Sequence, residues 1–182
     1  MRTLPSDKAV RRLALRGMLL CLCLVFSYLE ARFPLPLPLP GCKPGFANIV
    51  VTFCALTLGY PDALALSLLR VLIVSLLFGS ASSFWFSLCG ALCAFLVLYL
   101  LLPRVPGTFS VIGVSAACAA AHNLGQLFAA CLLLSSVSVL SYLPVLLLAA
   151  ILTGTVSGVI LHFVLPPLKK AGLSGSEVFL RE

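Results

Sequence analysis

Between Val71 and Leu168 the chain carries a single formal charge, Arg104. Charged residues make up 9% of the sequence and hydrophobic residues 62%, whereas a soluble domain carries about 25% charged residues. So little charge cannot cover a water-facing surface. Acidic residues number five, and only Asp7 and Asp62 are aspartates. There is no Gly-rich P-loop, so the chain is not expected to hydrolyse ATP itself. The alternation of apolar and polar residues that marks an outer-membrane barrel is missing as well. Eight cysteines are present but form no C-x-x-C pair, and seven lie in apolar helical stretches. This pattern argues against a metal site or a disulfide framework, because buried Cys behaves as a small hydrophobe. Cys42, in a loop, is the exception.

What remains is apolar length. A helix needs about 20 apolar residues to cross a bilayer, and the sequence divides into six spans, at roughly 13–29, 46–60, 62–78, 82–102, 109–134 and 142–165. The second is short. Gly59–Asp62 ("GYPD"), Pro103–Gly107 ("PRVPG") and Pro166–Pro167 punctuate the boundaries. The expected fold is an all-α, six-helix membrane bundle, one membrane domain over 1–182. The basic start followed by "LLCLCLVF" resembles a secretory signal. It lacks a small-x-small cleavage site, so an uncleaved first helix is expected.

The net charge of +7 is read as topology and not as nucleic-acid binding. Arg2, Lys8, Arg11, Arg12, Arg16, Arg104, Lys169, Lys170 and Arg181 fall on one side of a six-span arrangement, and Arg32 and Lys43 on the other. Basic residues favour the cytoplasmic side. A multi-pass protein of the cytoplasmic (inner) membrane with both termini inside is expected.

Polar residues at depth are the exceptions that ask for a function. Arg70 lies about eight residues into its span, roughly 12 Å deep, where an arginine costs at least ~2.5 kcal/mol. Glu30 and Asp62, both near span ends, are its candidate carboxylates. His122, Asn123 and Gln126 fall at roughly 0°, 100° and 40° around the fifth span, a single polar face. That face is either interhelical glue or the lining of a pocket. "GCKPGFAN" places Lys43 before the second span, whose amino end attracts anions, and Asn48 just inside it. Lys43, Arg70 and a protonatable His122 would suit an anionic small molecule.

Two further stretches stay open. Pro34, Pro36, Pro38 and Pro40 alternate with Leu35, Leu37 and Leu39. The result is a stiff, extended loop, either a spacer or a lid. Gly154 and Gly158 are four apart and admit a close helix, within the chain or in a second copy.

Three stretches, "PGCKPGFANIV", "SLLRVLIVSLLFG" and "GVSAACAAAHNLGQL", resemble the Gx transporter family, whose members are often labelled heptaprenyl diphosphate synthase component I. The resemblance covers about 13–165. That family is similar in turn to the substrate-binding S components of energy-coupling factor transporters. The resemblance implies a six-helix fold with a cavity near the external face, capped by the first loop. It also implies a small-molecule ligand and a coupling transmembrane subunit with ATPases. Glu30, Lys43, Asn48, Arg70, His122, Asn123 and Gln126 are the candidate binding residues, with no cofactor. The sequence departs from the family pattern at Pro44, which follows Lys43 where an apolar residue is usual. It also has Gly17-x-x-x-Cys21 where S components carry a docking face of paired alanines. The synthase label implies a prenyl diphosphate synthase subunit as partner. Prenyl transfer needs carboxylates to hold Mg²⁺ on a diphosphate, so two separated aspartates fit at most an accessory, non-catalytic role.

Overall fold

The computed structural model describes residues 7–32, 45–105 and 107–170. Among the described residues six α-helices run in chain order: α1 Asp7–Arg32, α2 Asn48–Thr57, α3 Tyr60–Phe78, α4 Ala81–Leu101, α5 Val111–Leu134 and α6 Leu143–Lys170. Five are long and apolar enough to cross a membrane; α2 is not. The chain is a multi-pass, all-α membrane bundle.

Local chemistry sets the boundaries. Gly59 takes φ 102°, a left-handed conformation that suits glycine, and Pro61 opens α3. Ser80 and Ser110 cap α4 and α5 by accepting from the N–H groups of Ser83 and Gly113. The Arg104 guanidinium turns back to the Leu100 carbonyl at the end of α4. Boundaries differ from expectation at two places: α1 begins at Asp7 and not near 13, and the end of α6 lies beyond its prolines. α6 runs through Pro166 and Pro167 to Lys170. These prolines fall in its last turns, where the missing N–H groups disturb little of the helix above, and Leu165 stays buried.

The core forms two apolar clusters. One joins Leu19, Cys23, Leu56, Ala63, Leu98, Leu102, Val114, Leu161 and Leu165. It gathers the middle of α1, most of α2, the ends of α4 and α6, and the starts of α3 and α5. The other joins Phe86, Leu127, Ala130, Val139 and Leu146 at the opposite end. The Arg16 Nη2–Asp62 Oδ1 pair at 2.7 Å and the Arg12 Nε–Asp62 Oδ2 pair at 3.7 Å tie α1 to the start of α3. α6 lies directly on α5: a Cβ on Gly154 would stand 2.5 Å from the Ala116 Cα, and one on Gly158 2.5 Å from the Ile112 Cα. The glycine pair is used inside the chain.

Candidate functional site

Between the two apolar clusters lies a polar layer. Ser27, Glu30, Ser67, Arg70, His122, Asn123 and Gln126 are all buried, Arg70 at 5% exposure. α2 is the element that meets this layer end-on. It is ten residues long, about 15 Å at 1.5 Å per residue, half of a ~30 Å hydrocarbon core. Its other end reaches the Arg12 side chain, whose Nη2 donates to the Leu58 carbonyl at 3.0 Å. α2 therefore begins inside the bundle.

A helix that begins inside must satisfy its first N–H groups there. The Ala47 position offers no side-chain cap. The N–H groups of Asn48, Ile49 and Val50 bond back to the carbonyls of Gly45, Phe46 and Ala47, and this turn is tied to α1, where Glu30 Oε1 accepts from the Phe46 N–H. The next residue engages α3, because Arg70 Nη2 donates to Asn48 Oδ1 at 3.4 Å. The turn itself touches α5. Gly45 takes φ 84°, and a Cβ there would lie 3.2 Å from the His122 ring. The segment Gly45–Asn48 thus meets Glu30, Arg70 and His122, each from a different helix.

These three residues share one cavity, with Ser27, Val71, Val74 and Ser87 completing its wall. Two more cavities flank α2, both lined by Asn48 and Thr52. Each of the three encloses about 10 Å³, room for about one water. A metabolite pocket runs to about 300–1,000 Å³. Among the described residues these cavities have no room for a metabolite, and a ligand larger than water that enters between them needs α2 or its flanks to move.

Charge and donors are nonetheless concentrated here. Arg70 Nε, Asn48 Nδ2 and Asn123 Oδ1 are buried and have no hydrogen-bond partner among the described residues. Such atoms cost free energy unless something answers them. The layer combines a guanidinium, an imidazole and a helix amino end, groups suited to an anion, and one anionic group, the Glu30 carboxylate, already stands among them.

The expected binding residues divide. Glu30, Arg70 and His122 converge, and Asn48 adjoins them. Asn123 turns away and donates to the Leu146 carbonyl on α6 at 2.8 Å. Adjacent residues on a helix point about 100° apart, so the two neighbours face different helices. Gln126 is buried at 2% exposure on the same helix. Lys43 and the proline-leucine stretch lie outside the described residues. Sequence reasoning passed over Ser27 and Ser87, and over Gly90 on α4, where a Cβ would lie 2.9 Å from the His122 ring. Cys23, Ser27 and Glu30 recur at helical spacing on α1, a signal that this stripe faces inward. Gly90 gave no signal of its own.

The convergence brings Gly45–Asn48 together with Glu30, Arg70 and His122. A family model described as heptaprenyl diphosphate synthase component I matches residues 19–164. The chain belongs to this family. No curated protein and no solved structure matches it. The heptaprenyl diphosphate synthase component I match spans every residue of the polar layer and stops short of both chain ends.

Proposed function

We propose that the protein is a substrate-binding subunit of a membrane transporter, of the S-component kind, taking a small anionic metabolite from the external side. The observation that supports this reading is α2. A half-length helix starts at the polar layer, with its amino end beside the buried Arg70. Broken helices whose amino ends meet anionic groups near the midplane are a recurring way of building transporter sites. Arg70, His122 and Asn48 would hold the ligand, Lys43 would stand near the mouth, and Asn123 and Gln126 would fix α5 behind them. Energy would come from a coupling transmembrane subunit with ATPases. The basic residues on one side favour the inner membrane with both termini cytoplasmic.

A second reading has its own support in the family description. As a component of a synthase, the protein would serve as the non-catalytic membrane partner of a prenyl diphosphate synthase subunit. Asp62, one of the two aspartates, is engaged by Arg12 and Arg16, which suits a role without catalysis. Purification from the native membrane, with mass spectrometry of all that co-purifies, separates the two. A water-soluble anionic metabolite at near one per chain supports transport. A stoichiometric prenyl synthase subunit without a metabolite contradicts it and supports the second reading.

A further inference from the structure

We infer that Glu30 is a built-in anion occupying the α2 end of the site, and that a carboxylate- or phosphate-bearing ligand binds by displacing it. This rests on the transport reading and adds the event by which the site admits its ligand.

Four observations carry the inference. Glu30 is buried at 7% exposure, and its carboxylate takes the Phe46 N–H that a bound anion would otherwise take. A carboxylate from another helix thus holds the turn that leads into α2, whose own first N–H groups bond to the Gly45, Phe46 and Ala47 carbonyls. Second, Glu30 lines one cavity with the buried Arg70. The Arg70 Nε has no partner among the described residues, and the bond from Nη2 to Asn48 is long at 3.4 Å. A guanidinium presents five N–H donors suited to bidentate oxyanions. An unanswered Nε at this burial is capacity for an oxyanion. Third, the surrounding space is too small for a ligand while Glu30 is in place. Removal of its carboxylate would free a volume shaped for another small oxyanion. Fourth, two water-sized cavities lined by Asn48 and Thr52 flank the first turns of α2, so this short helix has room to shift when its tether to α1 is exchanged. Cys23 reports on that shift. It is buried beneath the same turn, its Sγ donating to the Ala47 carbonyl at 3.8 Å.

The experiment uses the full chain in lipid nanodiscs, with sodium formate and inorganic phosphate as probes. Glu30→Ala should melt roughly 5 °C below the parent protein, since it leaves the Phe46 N–H without its acceptor and removes the carboxylate from the cavity that also holds the buried Arg70. Formate should restore most of that loss, whereas sodium isethionate at equal ionic strength, with an anion too large for the vacated space, should not. Recovery by phosphate as well would mark a phosphate-bearing ligand, and recovery by formate alone a carboxylate. Recovery by neither overturns the inference. Recovery that persists in Glu30→Ala/Arg70→Met overturns it too. Should Glu30→Ala not fold, the isosteric Glu30→Gln serves. Formate or phosphate should raise its melting temperature and the N-ethylmaleimide labelling of Cys23 should change with it. An identical response in the parent protein contradicts displacement. A co-purifying metabolite that is lost in Arg70→Ala, with no anion rescue of Glu30→Ala, would leave the transport reading standing without this inference. Anion rescue without any metabolite would do the reverse.

Discussion

Gly90 on α4 stands so close to His122 on α5 that a Cβ at position 90 would lie 2.9 Å from the imidazole Nδ1 and 2.9 Å from the His122 carbonyl oxygen. Gly45 presses on the same ring from α2. The imidazole is thereby held between two glycines, and its position follows from backbone packing on both sides.

Gly90→Ala should therefore lower stability. The backbone carbonyl in the contact cannot swing aside as a side-chain tip would, and overpacking of this kind costs about 1–3 kcal/mol. Thermal unfolding in nanodiscs checks this. A variant as stable as the parent would show that α4 and α5 can separate locally without penalty.

Asn123 is expected to act as a fastener. Its Nδ2 donates to the Leu146 carbonyl, an interhelical bond worth about 1–2 kcal/mol at most in membranes. Asn123→Ala should lose about that much stability while retaining whatever small molecule the parent protein carries. Loss of ligand at unchanged stability would move Asn123 into the binding site.

The α5–α6 seam should tolerate no bulk. At Gly154 backbone atoms of Ala116 and Ser115 lie 2.5–3.0 Å from where a Cβ would stand. Gly154→Leu should abolish the folded fraction seen by size-exclusion chromatography, whereas Leu152→Ala, on the lipid-exposed side, should leave it intact. A Gly154→Leu protein that remained folded and merely changed oligomeric state would place the glycine face between copies instead.

The ion pairs at the start of α3 should matter little. Arg12 and Arg16 are about half exposed, at 54% and 47% for their side chains. Water and salt screen such pairs, which are typically worth about 0–1 kcal/mol. Asp62→Asn should shift the melting temperature by no more than about 4 °C at low salt and by less at high salt.

Much of this arrangement was legible in the sequence. Charge scarcity and apolar length pointed to a helical membrane bundle, because no other closed solution satisfies the backbone in lipid without strand alternation. Depth and helical phase singled out Arg70 and the His122–Gln126 face. Periodicity could not say which neighbour each residue of that face meets, so His122 and Asn123 looked alike although they turn to different helices. Nor could it show that α2 starts inside the bundle. That follows from Glu30, 16 positions earlier in the chain, supplying the acceptor for Phe46, a tertiary contact with no local signature. Gly90 was silent for the same reason: its meaning lies in the ring packed against it.

The central claim is that Arg70 holds an anionic ligand at the amino end of α2. The most direct measurement is the amount of small molecule retained per chain by the parent protein, Arg70→Lys and Arg70→Ala, each purified in native lipid. Removing one partner of a buried charge pair costs about 2–5 kcal/mol, so Arg70→Ala should retain at least about tenfold less, with Arg70→Lys in between because it keeps charge but loses the planar fork. Equal retention in all three, with the fold intact, would contradict the account.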